Sequence, residues 1–144
     1  MESTRPESTA VERAARQQAV VEALATALPG HAILFTPEDT TPYECDGLTA
    51  YRQRPLVVAL PETEDQVRAV LRSCHGLRVP VVARGAGTGL SGGAMPHELG
   101  VTLSLARFNR ILAVDPVSRT ARVQCGVRNL AISEAAAPHG LYYA

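Results

Sequence analysis

The segment RGAGTGLSGG, Arg84–Gly93, carries five glycines in ten residues, and nothing else in this chain limits its fold so sharply. Glycine loses more backbone freedom on folding than any other residue and offers no side chain to pack, so this density weakens any helix or strand interior. A loop is expected here, one whose backbone approaches something closely.

The flanking residues place that loop in an element order. Leu56–Leu60 is a short apolar run closed by Pro61, as a buried strand requires. Thr63 and Gln66 have capping-box spacing and open a helix in which Val67, Val70, Leu71 and Cys74 share one face and Gly76 is a natural stop. Val79–Ala83 is a second strand leading directly into the glycines. Residues 56–83 therefore read as one strand, helix, strand unit with a parallel pair. Beyond the loop, Val101–Leu105, Ile111–Val114 and Ala121–Gln124 read as strands, the last two joined by a turn around Asp115, Pro116 and Ser118, so the sheet is expected to become mixed or antiparallel. Gly126 precedes a helix over Asn129–Ala137, which Pro138, His139 and Gly140 end.

Before the first strand, Thr9 and Glu12 have capping-box spacing, and Val20, Leu24 and Leu28 recur every four residues until Pro29 and Gly30. An N-terminal helix follows from this, and the turn-rich stretch Thr36–Arg54 reads as an ordered loop. The fold class is α+β. The expected division is residues 1–54, the helix and ordered loop, and residues 55–144, a partial domain with a strand-helix-strand subdomain and a mixed sheet subdomain. LYYA at the end starts another extended segment with no closing element, so the chain is expected to be truncated.

An anion suits the glycine loop. Successive peptide N–H groups turned inward by glycine dihedrals form a nest for phosphate, and Thr88 and Ser91 add hydroxyl donors. Cofactor contacts are thus expected along Arg84, Gly85, Ala86, Gly87, Thr88, Gly89, Leu90, Ser91, Gly92 and Gly93. Arg84 itself reads equally well as a phosphate partner or as a sheet-edge arginine. Two other motifs coincide with the loop and fail on context. Gly87, Gly89 and Gly92 spell G-x-G-x-x-G, but a dinucleotide fingerprint follows the first strand, opens a helix and is answered by an acidic residue about twenty positions on. Gly89, Ser91 and Gly93 spell G-x-S-x-G, with Asp115 and His139 following in hydrolase order, but a nucleophile elbow also needs a helix after the serine. A P-loop is excluded because no Lys-Ser/Thr pair closes the glycines.

Composition narrows the partners. The 144 residues are 46% apolar and 19% charged with zero net charge, so no electrostatic footprint points to nucleic acid or an anionic membrane. The polar N-terminus has no secretory pattern and no apolar run reaches transmembrane length, which reads as cytoplasmic. Cys45, Cys74 and Cys125 are odd in number and widely spaced, as reduced structural thiols would be, the latter two in apolar surroundings. No metal site is expected, and His31, His75, His97 and His139 are isolated from one another. Glu62, Glu64 and Asp65 complement the dipole of the second helix. Tyr142 and Tyr143 either face a ligand or fill a strand.

The element order, with the segments YECDGLTAYRQRPLVVALPET, HGLRVPVVARGAGTGLSGGAMP and GVRNLAISEAAAPHGLYYA, resembles the FAD-binding domain of the vanillyl-alcohol oxidase and p-cresol methylhydroxylase family, and its glycolate-oxidase-type flavoproteins most closely. The resemblance covers residues 20–144. It implies that Arg84–Gly93 wraps the FAD pyrophosphate and that residues 56–83 lie in the smaller of two subdomains clasping the cofactor. Some relatives attach flavin covalently through a histidine in this loop. Thr88 stands at that position here, which implies non-covalent FAD. The resemblance further implies a small 2-hydroxyacid substrate in the full-length enzyme, with electrons leaving to partner subunits bearing iron-sulfur centres. Those subunits would also be the route to the inner membrane. The substrate-binding cap is not in this sequence, so no catalytic residue is expected in it. The alternative is a catalytically inactive nucleotide-binding or assembly module.

Overall fold

The structure, a computed structural model, describes residues 10–144, and the cap expected at Thr9 lies outside the described residues. Helix α1 spans Ala10–Leu24 and buries Val20 and Leu24, as the four-residue spacing anticipates. Leu28 is also buried, although the helix ends before it. The Thr26 hydroxyl donates to the Ala23 carbonyl at 2.7 Å, and the Ala27 amide turns to Leu24 O at 3.0 Å instead. A hydroxyl competing for a helical carbonyl loosens the last turn.

The stretch expected as loop holds a short helix. Thr36 accepts from the Asp39 amide at 3.2 Å and caps α2 (Pro37–Thr40), with proline at the helix start, where a missing N–H costs little. A 3-10 turn, Thr41–Tyr43, follows. Ahead of α2, Ile33–Leu34 forms a strand, β1, too short to leave any period in the sequence.

Strands β2 (Val57–Ala59), β3 (Val81–Arg84) and β4 (Val101–Ser104) complete a four-stranded sheet in the order β1-β2-β4-β3. β1 is antiparallel to β2, and β4 is parallel to both β2 and β3. The expected parallel pair is therefore corrected in one respect. β2 and β3 run the same way, but β4 lies between them. Every residue of β2 and β4 is buried, so these strands hold the centre, where neighbours satisfy both backbone edges. β3 lies at the edge, where Pro80 just before it is tolerated. It also begins two residues later than expected and includes Arg84.

Helix α3 (Glu64–Gly76) links β2 to β3. Thr63 Oγ1 accepts from the Gln66 amide at 3.2 Å and Gln66 Oε1 from the Glu62 amide at 2.7 Å, a slightly shifted version of the expected reciprocal cap. Val70 and Cys74 are buried, and burial raises the Cys74 thiol pKa above its ordinary value. Leu71 is 44% exposed and leaves the expected buried face, because α1 packs against α3 along Val67, Val70 and Cys74. Gly76 is not the left-handed stop. Arg78 takes that position with φ 52°, its amide bonding His75 O at 3.1 Å and the Val79 amide bonding Cys74 O at 2.8 Å, which is a Schellman closure.

α1 shares one apolar core with the sheet and α3 through Val20 and Leu24, and Leu28 beyond it joins the same core. Its polar side chains grip backbone carbonyls around the sheet. Arg13 donates to Glu98 O, Arg16 to Arg78 O at 2.8 Å, and Gln17 to Leu56 O at 2.8 Å and Phe35 O at 3.0 Å.

The second half of the chain forms an antiparallel hairpin, β5 (Ile111–Asp115) and β6 (Thr120–Val123), with a bulge between Ile111 and Ala113. Asp115 Oδ1 accepts from the amides of Val117 at 2.9 Å and Ser118 at 3.1 Å, as the turn residues anticipate. Helix α4 (Asn129–Ala136) continues into a 3-10 turn, Ala137–His139, that ends at left-handed Gly140. Residues 141–144 form no strand. Cys125 is exposed, which corrects its expected apolar setting, since the chain has already left the sheet there.

Candidate functional site

Residues 85–93 leave β3 without regular structure, and no helix follows Ser91, which removes the context that both dinucleotide-fingerprint and nucleophile-elbow readings need. Asp115 is engaged in the hairpin turn. Among the described residues, no group of His, Cys, Asp and Glu could hold a metal ion.

The five loop glycines separate into two kinds. Gly87 and Gly92 have φ of 71° and 76°, a left-handed backbone that side chains disfavour. A Cβ on Gly87 would also stand 2.2 Å from the Arg84 guanidinium. The chain itself therefore demands glycine at these two positions. Gly85, Gly89 and Gly93 have no positive φ, and a Cβ built on any of them meets nothing within 4 Å. Neither backbone nor packing explains them. Gly30 and Gly76 are open in the same way, but singly and at helix termini.

The hydrogen-bond donors of residues 85–91 are free as well. Among the described residues, no amide from Gly85 to Ser91 donates to a protein acceptor, and neither do the hydroxyls of Thr88 and Ser91. Thr88, Gly89, Leu90 and Ser91 are exposed. Backbone N–H groups that the fold leaves unpaired suit an anion, and the three unexplained glycines leave space for it to come close.

The loop is fastened from behind by the segment 43–48. The Gly47 amide donates to Gly89 O at 3.0 Å, and a Cβ on Gly47 would stand 2.6 Å from Thr88 O. Asp46 is 5% exposed and accepts from the Leu48 amide at 2.9 Å through Oδ1, which sets the turn that presents Gly47. Its Oδ2 is buried with no hydrogen-bond partner. Arg84 donates to Cys45 O at 2.8 Å, and its guanidinium lies 5.6 Å from the centre of the Tyr43 ring. Both contacts draw the Arg84 guanidinium toward the segment 43–48.

An open cleft of about 880 Å³ lies on the loop's other side, between Gly85, Ala86 and Thr88 and a facing wall that includes Gly126, Arg128 and Asn129. Arg128 is exposed and stands at the N-terminal boundary of α4, where helix amides and a cation both favour negative charge. Gly126 lets this wall close on the chain, since a Cβ there would stand 2.4 Å from Leu105 O. Sequence reasoning missed Arg128, Asn129 and the Tyr43–Gly47 support. In the sequence Gly126 reads only as preceding a helix, and no local motif links either region to residues 84–93.

Residues 55–144 match the family model described as an FAD binding domain. The chain is 65% identical over 125 residues to the glycolate oxidase subunit GlcD of Escherichia coli (strain K12), covering 87% of this chain and 25% of that protein. It is 38% identical over 120 residues to the D-2-hydroxyglutarate dehydrogenase of Xanthomonas citri pv. viticola, covering 83% and 25%. Among solved structures, p-cresol methylhydroxylase with substrate bound superposes with a TM-score of 0.76 at 23% identity, covering 88% of this chain and 25% of that one. A 4-ethylphenol oxidase from Gulosibacter chungangensis gives 0.76 at 22% identity, covering 95% and 27%. These two likenesses establish the shared fold. The chain spans about a quarter of the length of the curated relatives it matches.

Proposed function

The chain belongs to the FAD-binding-domain family, and from that premise we propose that it is the N-terminal portion of a flavin-dependent 2-hydroxyacid oxidoreductase in which residues 84–93 cradle the FAD pyrophosphate. One observation carries the placement: Gly85, Gly89 and Gly93 are glycines that nothing in the chain requires. They border amides without protein acceptors, and a diphosphate supplies both the acceptor oxygens and the reason for close backbone approach. Arg128 across the cleft would offset part of the phosphate charge.

Bound FAD would supply the redox chemistry, accepting hydride from the hydroxyl-bearing carbon of the substrate. The residues described here bind and orient. No histidine lies within residues 84–93, so the flavin is held without a covalent bond through this loop. The relatives' names place glycolate and D-2-hydroxyglutarate among the substrates of such proteins, and we propose a small 2-hydroxyacid for the parent enzyme. GlcD is named as a subunit, which supports an assembly with partner subunits, and we propose an iron-sulfur electron acceptor among them. No residue of this chain is proposed as a catalytic base, so the chain alone is proposed to bind without turnover. No helix among the described residues is long and apolar enough to cross a membrane.

The test uses Gly85→Val and Gly89→Val, since Gly87 is confounded by its own backbone. Flavin fluorescence titration should show roughly tenfold or greater weakening, on the scale of losing one charge-assisted hydrogen bond, with an unchanged melting temperature. FAD affinity equal to the parent chain's in both variants would sink the cradle.

A further inference from the structure

Resting on the reading of residues 84–93 as a pyrophosphate cradle, we propose that Arg84 is a positioning residue rather than a phosphate ligand. It is the bolt of a latch by which Tyr43–Gly47 holds the loop with its amides open. Arg84 is absent from the residues that wall the cleft, although Gly85, Ala86 and Thr88 are among them. Its guanidinium turns the other way, donating to Cys45 O at 2.8 Å and resting over Tyr43 at 5.6 Å. It also occupies the space a side chain on Gly87 would need, 2.2 Å from that Cβ position. Gly87, whose φ of 71° already calls for glycine, leaves that space to the arginine.

A second fastening lies two residues further on. The Gly47 amide holds Gly89 O at 3.0 Å, and Gly47 approaches so closely that a Cβ would strike Thr88 O at 2.6 Å. The Asp46 carboxylate fixes this turn through the Leu48 amide at 2.9 Å. Residues 85–89 are thus held from behind at two points while, among the described residues, their amides meet no protein acceptor. A loop so rich in glycine would otherwise have to be ordered by the ligand, and that ordering would weaken binding. The latch orders it in advance.

The test uses the 144-residue chain with ADP as the diphosphate probe, titrated to millimolar concentration and followed by the NMR shifts of amides 85–91. Arg84→Met should weaken ADP roughly tenfold or more, by loss of a hydrogen bond from a charged donor. Arg84→Lys should fall with it, because the planar stacked fork and not the charge is what the site uses. Tyr43→Leu should weaken ADP about two- to fivefold and Tyr43→Phe should match the parent chain. In the absence of ADP, Arg84→Met should speed hydrogen exchange at amides 85–91 and leave β2 and β4 unchanged, which a general loss of stability would not do.

The ratio of parent to Arg84→Met affinity should stay constant as salt is raised, since no ion pair to phosphate has been removed. Rescue by Arg84→Lys together with a ratio that shrinks in salt would make Arg84 a phosphate ligand and overturn the latch while leaving the cradle intact. ADP that shifts none of amides 85–91 in the parent chain would overturn both. If Arg84→Met does not fold, the Tyr43→Leu and Tyr43→Phe pair decides, and equal affinity in the two sinks the latch.

Discussion

The four-stranded sheet and the β5–β6 hairpin are built from similar residues and have opposite fates. LVVAL around β2 and ILAV in β5 are both runs of aliphatic side chains. Every residue of β2 and β4 is buried, and no residue of β5 or β6 is. Leu56 is 0% exposed and Leu112 is 49% exposed. The difference lies in the surroundings. α1 packs on α3 and β2 over one shared core, while the hairpin has α4 against β5. A strand's burial is decided by what covers it, and its own composition only makes burial possible.

The largest effect should come from the core of the sheet. Leu56→Ala is expected to cost about 2–5 kcal/mol, the usual range for a fully buried leucine, and Leu112→Ala less than about 1 kcal/mol. Urea denaturation of the two variants measures the gap, and equal losses would break the comparison.

Two arginines sharpen it at smaller amplitude, one beside each sheet. Arg78 closes α3 with φ 52°, and Arg119 sits in the hairpin turn with φ 53°. Both hold a backbone that glycine adopts without strain. Arg78→Gly and Arg119→Gly should each stabilise the chain by about 0.5–1 kcal/mol, since relief of strain outweighs the added freedom of the unfolded glycine. The bond from Arg16 to Arg78 O uses the backbone and survives the change. A lowered melting temperature in either variant would assign that side chain a role its contacts do not reveal.

The smallest effect concerns acid and should touch only the hairpin. Hydrogen bonds from the Ser118 side chain, then from the Ser118 and Val117 amides, hold the Asp115 carboxyl below its ordinary value of 3.8. A depressed folded pKa contributes stability that is present above the unfolded value and lost as pH falls through the folded one. Amide protection at residues 117 and 118 should therefore decline below about pH 4 while β2 and β4 stay protected. Asp115→Asn should flatten that decline. Loss of protection in both sheets together would mean that the hairpin is not an independent unit.

Much of this architecture was legible because it rests on local signals. The capped start of α3, the turn at Asp115, the buried run at 56–60 and the glycine loop each arise within a few residues, where backbone geometry and hydrogen bonding act directly. The misses have the opposite character. Leu71 has the right spacing for burial and is exposed because of where α1 lies. Gly76 looks like a helix stop, but the closure forms at Arg78. β2 and β3 were joined as neighbours because they adjoin in the chain, and β4 enters between them through pairing across about twenty to forty residues.

The site divides along the same line. Sequence alone determined that the residues after β3, 85–93, form a loop, because glycine at that density weakens any helix or strand. It could not separate the glycines the chain needs from those it does not. Gly87 and Gly92 answer to their own left-handed backbone, and Gly85, Gly89 and Gly93 answer to nothing among the described residues. Only the tertiary structure brought Tyr43, Asp46 and Gly47 behind the loop and Arg128 across the cleft from it. Those residues stand roughly forty positions away on either side. Contacts over such distances are set by how helices and strands pack, and packing leaves no period or motif in the residues it joins.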